Sequence, residues 1–505
     1  MLEGTTMSNT LENQFARADV QEVGMPQKTL TTWKIVVLIL AALTPLSVVM
    51  ATLPLGLAFG GPSSALTYLL AGSIIGLFCI GYAEMVRQIS RPGAFYSYIC
   101  RGIAKPFGVG AAMIAVVGYV SGCLGSFAVG SAVIGETVTS LGFNLSWQTS
   151  LVGLVIFVAV MVWNQIDFSA FIGGLIVICE LLLIAALLIG IINLHGIQAT
   201  FSPEVIQWNI FQYGNWHVAF IFSFLVFQGL EAGALYAPET RNPEKMIPRA
   251  LAISVTILSL TFFLVSWALI SFSSPATLMD QVISQHIFGF IIAVIQASLG
   301  ETGLFLFGVV TVLGVMICTL AVVNFMARYL NGLAGDKILP RYLATLNRNG
   351  APSNAAFTLI AVSCIVIIFS VSCGISPYSQ LSPLGFGVAA ISGTSLLILS
   401  SLAVVGYFMR SKKSQGHWWK TFLAPIFSII LLVMAMYIEL KGFNFITGME
   451  AAWTNYLPLL VLFAFVFGFF YALFLKKNKS SIYHHIAAGD NMEEVIRIRE
   501  ENREV

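Results

Sequence analysis

Charge is what this sequence has least of. Its 505 residues include 25 Lys or Arg and 23 Asp or Glu, 10% of the chain, against 58% hydrophobic residues and a mean hydropathy of +0.88. Soluble domains carry roughly a quarter charged residues, so these few charges cannot cover a water-facing surface on a chain this long. A cytosolic enzyme, a disordered chain and a disulfide-rich secreted domain are excluded together. A net charge of +2 leaves no basic field for nucleic acid. Cysteine is scarce as well. The seven at positions 79, 100, 123, 179, 318, 364 and 373 are scattered, with no metal-ligand spacing, and read as small buried side chains. No HExxH, Walker loop or nucleophile elbow stands in a suitable context, so no cofactor is assigned.

What is there is apolar sequence in long runs. The first 30 residues are polar and form a solvated tail, not a cleavable leader. Twelve segments then follow at 34–59, 64–88, 106–135, 148–166, 171–193, 215–237, 249–273, 302–333, 354–373, 383–409, 418–439 and 455–475. About 20 apolar residues span a bilayer as a helix, and a spanning backbone must satisfy its own hydrogen bonds. The pattern predicts an all-α polytopic membrane protein with twelve transmembrane helices and the lipid bilayer as its solvent. Two outer loops exceed a tight turn. Residues 194–214 carry Trp208 and Tyr213, suited to a membrane interface. Met279–Ile295 reads either as an interfacial helix or as a half-buried gate.

Basic residues set the orientation. With the N-terminus inside, the inner loops hold Arg91, Arg101 and Lys105, then Arg241 and Lys245, then Lys337, Arg341 and Arg348, then Arg410, Lys412 and Lys413. Lys476, Lys477 and Lys479 follow in the C-tail, while the outer loops hold Lys441 alone. That bias puts both termini in the cytoplasm, with the protein in the cytoplasmic membrane. The chain divides into a tail over 1–32, a ten-helix core over 33–409, a last helix pair over 410–475 and a tail over 476–505.

Charged groups inside spans are costly, so each is a functional candidate. Glu180, inside the fifth span, reads as a proton or cation coupling site or as a hydrogen-bonded structural glutamate. Glu231 follows Gln228 and Gly229 in Phe227-Gln-Gly-Leu-Glu-Ala-Gly233, where two glycines weaken the sixth helix. This reads as a broken helix lining a cavity, or as a glycine packing face. In the first span Pro45 and Pro54 each remove a backbone donor, giving either a break that faces ligand or a simple kink. Breaks five helices apart point to a five-plus-five repeat with two helices added. Glu84 with Arg87 reads as an interfacial pair. Tyr119, Ser121, Ser126, Thr319, Asn324, Ser392 and Thr394 offer polar groups at packing or substrate-facing positions.

Three blocks in order carry a family resemblance. They are Arg91-Pro-Gly-Ala-Phe-Tyr-Ser-Tyr98, Phe227-Gln-Gly-Leu-Glu231 followed by Pro238-Glu-Thr-Arg-Asn-Pro-Glu-Lys-Met-Ile-Pro-Arg249, and Ala327-Arg-Tyr-Leu-Asn-Gly-Leu-Ala-Gly-Asp336 followed by Leu339-Pro340. Over roughly 35–475 the chain resembles the amino acid–polyamine–organocation (APC) superfamily of permeases. The resemblance implies the LeuT-like inverted-repeat fold and alternating-access transport of an amino acid or organic amine, by symport with protons or by exchange. The family's Gly-Ser-Gly in the first helix falls at Ser47, Val48 and Val49. The glycines are missing here, and Pro45 stands just before to open the helix. Phe227, Gln228 and Gly229 match the unwound sixth-helix segment that meets the substrate amine. Ser121, Gly122 and Ser126 align with substrate-facing positions of the third helix, and Ser392 in the tenth is counted with the substrate-binding set. Glu231 matches a gating or proton-sensing glutamate. Glu180 falls where some proton-coupled members carry a lysine, so the charge is reversed, which implies a proton shuttle or a bound cation. A polyamine transporter or an amino acid–amine exchanger of the same fold is the alternative. Oligomeric state is not legible.

Overall fold

The computed structural model describes residues 30–88, 94–164, 170–227, 229–230, 240–348, 350–410, 417–443 and 452–486. Every named element among them is helical, as expected where no water is at hand to satisfy the backbone. The main helices are α1 (Thr32–Leu43), α2 (Pro45–Ser47), α3 (Leu53–Gly60), α4 (Ser64–Gln88), α5 (Ala94–Gly102), α6 (Lys105–Ser140), α7 (Trp147–Trp163), α8 (Ala170–His195) and α9 (Trp216–Leu225). They continue with α10 (Pro243–Ile270), α11 (Leu278–Ser284), α12 (Phe288–Gly335), α13 (Ser353–Ser372), α14 (Ser382–Arg410), α15 (Ala424–Gly442), α16 (Leu459–Asn478) and α17 (Ser480–His485).

Among the described residues, ten helical runs are long and apolar enough to cross a membrane, including Thr32–Gly60 as one broken run. Two shorter apolar helices, α7 and α9, fall where the fourth and sixth spans are expected. The apolar runs therefore give an all-helical, multi-pass membrane protein. Its exterior is apolar where lipid would lie. On α16, Phe463, Phe467, Phe470 and Phe474 form one exposed ridge at alternating steps of four and three residues, which is helical spacing. The opposite face is small and buried, with Gly468 and Ala472 set against α6.

Two elements depart from the sequence reading. The eighth segment, expected at 302–333, belongs to a helix that starts at Phe288 and breaks at Gly300 (φ 67°). Met279–Ile295 is consequently not one helix. It is α11 plus the start of α12, joined through His286 and Ile287 at positive φ. Leu278, Val282, Phe290, Ile291, Val294 and Ile295 turn inward and are buried, and α11 packs on α3. The stretch is a half-buried cap over the first span. In the sixth segment α9 ends at Leu225, and residues 226–227 and 229–230 are turns, at the place where the sequence reading expects that helix to weaken.

At the end of α4, Glu84 accepts from Arg87 at 2.7 Å, as expected of an interfacial pair, with Lys420 at 3.8 Å. The Lys105 ammonium donates to the carbonyls of Tyr483 (3.2 Å) and His484 (2.9 Å) and sits 5.5 Å from the Tyr483 ring. A cation at the end of a helix suits its unpaired carbonyls, so α17 is clasped to the start of α6. Beside it Cys100 is buried, which pushes its thiol up to about 12, while the Lys105 charge pulls the other way.

Candidate functional site: the broken first helix

The site begins with a proline. Pro45 has no N–H and disfavours helical backbone at the residue before it. Thr44 responds by turning left-handed, at φ 39° and ψ 81°. The helix ends at Leu43 and restarts at Pro45. A continuous helix would bond the Leu46 N–H to the Ala42 carbonyl. Here that bond is replaced by two side chains. Leu46 N–H donates to Glu180 Oε2 at 3.4 Å, and the Ala42 carbonyl accepts from Cys318 Sγ–H at 3.4 Å. Glu180 comes from α8 and Cys318 from α12. The Glu180 carboxyl thus takes up a backbone donor left free at the start of the restarting helix. Pro54 is accommodated differently. A π-helical turn, Val48–Thr52, precedes it, a local widening often found at functional positions. The Ala51 carbonyl in this turn accepts from Tyr378 Oη at 3.0 Å.

Glu180 is completely buried. Its Oε1 has no hydrogen-bond partner, nor do the hydroxyls of Thr44 and Ser47. Gly314 on α12 makes room for this cluster. A Cβ there would lie 2.7 Å from Glu180 Oε1 and 2.9 Å from Ser47 Oγ, closer than packing permits. A cavity of about 70 Å³ opens beside it, lined by Thr44, Ser47, Val48, Ser126, Cys318 and Thr319 among others. A buried polar atom without a partner calls for an explanation.

The second interruption lies against the first. Val226 and Phe227 leave helical bonding after α9, and Gly229 takes φ +102°. A Cβ at Gly229 would begin 3.4 Å from Leu43 Cδ2, at the end of α1. Phe227 and Ser392 line a second cavity, of about 50 Å³, together with Phe78, Tyr119, Phe224 and Thr394. The structure thus gathers Pro45, Ser47, Val48 and Glu180 at one break, and Phe227, Gly229 and Ser392 around the other. Val49 is buried in the core. Ser121 and Gly122 line neither cavity; Gly122 faces Ala389 and Met326 instead. Gln228 and Glu231 lie outside the described residues.

Three participants have little sequence signal. Thr44 is marked only by standing before a proline. Cys318 reads as a core residue. Glu439, at the end of an expected span, is buried and accepts from Thr394 Oγ1 at 2.9 Å.

A family model described as amino acid permease matches residues 30–486. This chain belongs to that family. Three similar proteins are bacterial permeases. The branched-chain amino acid permease BcaP of Lactococcus lactis is 23% identical over 400 residues, covering 74% of this permease and 80% of the relative. The amino-acid permease RocE of Bacillus subtilis is 24% identical over 403 residues, covering 74% and 80%. The lysine-specific permease LysP of Lactococcus lactis is 23% identical over 420 residues, covering 75% and 77%. The protein is a permease of the APC superfamily, not an enzyme.

Proposed function

We propose that this permease is a secondary transporter of amino acids or related organic amines that works by alternating access and couples to protons. The observation that carries the reading is the contact between two interrupted segments, Leu43 against Gly229. Paired interruptions in the two halves of a transporter frame a midplane site. In this reading α7 and α9 complete twelve crossings. The first ten form a five-plus-five inverted repeat over 33–409, residues 410–475 add two helices, and both tails (1–32 and 476–505) are cytoplasmic. Pro45 opens the first helix. Ser47, Val48, Phe227, Gln228, Gly229 and Ser392 surround the substrate path, and Glu180 and Glu231 serve coupling and gating. The relatives' names, which include branched-chain amino acids and lysine, support an amino acid as cargo.

One observation favours the second reading, a transporter of amines or polyamines. The Leu46 amide that would meet a substrate carboxylate donates to the protein's own Glu180. A cargo without a carboxylate needs no such amide. A thermal-shift series with amino acids, their decarboxylated amines and polyamines, at about pH 5.5 and about pH 7.5, separates the two, because a ligand of the folded state raises its stability by mass action. Stabilisation by amino acids alone upholds the first reading, and stabilisation by amines alone upholds the second. No shift with any class removes the substrate assignment.

A further inference from the structure

The second buried carboxyl is not explained by the broken helices. Glu439 stands on α15, which packs against α14, α4 and α9. It is fully buried. Oε1 accepts from Thr394 Oγ1 at 2.9 Å, and Oε2 has no partner. Thr394 itself lines the cavity that also holds Phe227 and Ser392. A carboxyl therefore sits one hydroxyl away from the space between the helices.

Among the described residues, no cation on the helices packed against it pairs with it. On α14 the titratable side chains are Tyr407 and Arg410, and Arg410 donates to the carbonyls of Gly102 and Ile103 at the far end. On α4, Glu84 and Arg87 pair with each other and approach Lys420, about 28 Å from Glu439 along α15 at 1.5 Å per residue. Also on α4, Cys79 and Tyr82 line the cavity, and Tyr68 packs on Phe262. On α9, His217 faces Gly442 near the end of α15 and its Nδ1 is 3.2 Å from Asn215 Oδ1. On α15 itself Tyr437 is exposed, with the Lys441 ammonium 5.7 Å from its ring. Among the described residues Glu439 makes no ion pair. An uncompensated buried charge costs several kcal/mol, so charge comes and goes here only as a proton does, when water reaches Thr394.

We propose that Glu439 is a second proton-binding site of this permease, loaded and emptied through Thr394 from the cavity between α4, α6, α9 and α14. The inference rests on the transport reading for its role and on the Thr394–Glu439 geometry for its location. No covalent chemistry is involved: a proton bound to a carboxylate oxygen is carried through the transport cycle and released to water.

The test is a ratio, so turnover rate does not enter it. Purified full-length protein in liposomes is given lysine, leucine or putrescine, and proton flux is read with a trapped pH dye beside labelled substrate flux. Glu439→Gln lowers the proton-to-substrate ratio by one. At a pH difference of about one unit, one coupled proton fewer lowers steady-state accumulation about tenfold. Thr394→Val, which keeps the shape but removes the hydroxyl, shifts the pH at which proton flux is half-maximal. A ratio in Glu439→Gln equal to that of the wild type overturns the proposal. If the wild type moves none of the three substrates, the transport reading is what fails. Infrared spectra of the protein in detergent then decide Glu439 alone. A protonated-carboxyl band that titrates with pH and vanishes in Glu439→Gln upholds the site, and a band that does not titrate overturns it.

Discussion

Glu180 and Glu439 make an instructive pair. Both are fully buried, both have one oxygen bonded, and both leave the other oxygen without a partner. They differ in what the bond depends on. The Glu180 partner is a backbone N–H that is free only because the first helix is broken. Straightening that helix would return the N–H to Ala42 and strip Glu180 of its partner. The Glu439 partner is a side-chain hydroxyl on a continuous stretch of α14. That bond withstands bending of the first helix but not sliding of α15 along α14. Two copies of one chemical group thus register two different motions.

The comparison breaks most severely at Gly314. Gly314→Val drives a side chain into Glu180 and Ser47. Overpacking of this kind costs about 1–3 kcal/mol, so the melting temperature falls and uptake collapses. A valine variant with wild-type uptake would mean that the Glu180 cluster plays no part in transport. Next comes Glu180→Gln, which removes the ionisable carboxyl from the helix restart. With one of two coupled protons lost, gradient-driven accumulation at a pH difference of about one unit should fall about tenfold, measured in the same liposomes. Full accumulation in this variant would assign coupling to Glu439 or elsewhere.

A smaller effect separates the two partners. Cys318→Ala leaves the Ala42 carbonyl without its donor, a loss of about 1 kcal/mol that should appear as a modest drop in melting temperature. Thr394→Val strands Glu439 Oε1 in the same way and should cost a similar amount. If Cys318→Ala is neutral, water fills in at the first break and that side of the comparison is wetter than the α14–α15 seam.

The smallest effect reads the orientation of the chain in the membrane. Cys373 is exposed at the end of α13, outside the cell if both termini are cytoplasmic. A membrane-impermeant maleimide should label it on intact cells. Cys100 is buried and its thiol is pushed up to about 12, so it carries almost no thiolate at any working pH and stays unlabelled. Labelling of Cys373 only after lysis would invert the orientation.

Much of this architecture could be read from residue order because lipid demands it. Apolar runs of spanning length must be helical in lipid, and a proline inside a span must cost a backbone bond. Glu180 and the first break were legible on those grounds, as was the Glu84–Arg87 pair. What replaces a lost backbone bond was not legible. Pro45 announces that a donor is missing, but nothing near it names Glu180 or Cys318 as the groups that step in. Those pairings come from how α8 and α12 pack against the break. Glu439 was hidden because it stands at the end of an apolar run, where a carboxylate ordinarily meets water. The break at Gly300 was hidden because glycine is as common in packed membrane helices as in turns, and only its positive φ tells the two apart.

The exchange at the first break makes the stiffness of this joint heritable at a distance. The residues that hold it stand 134 and 276 positions along the chain from the backbone groups they serve. A substitution at 180 or 318 retunes the hinge while the hinge's own sequence stays as it is. Variants that work at different speeds or temperatures can therefore arise in this lineage without any change in the residues that touch cargo.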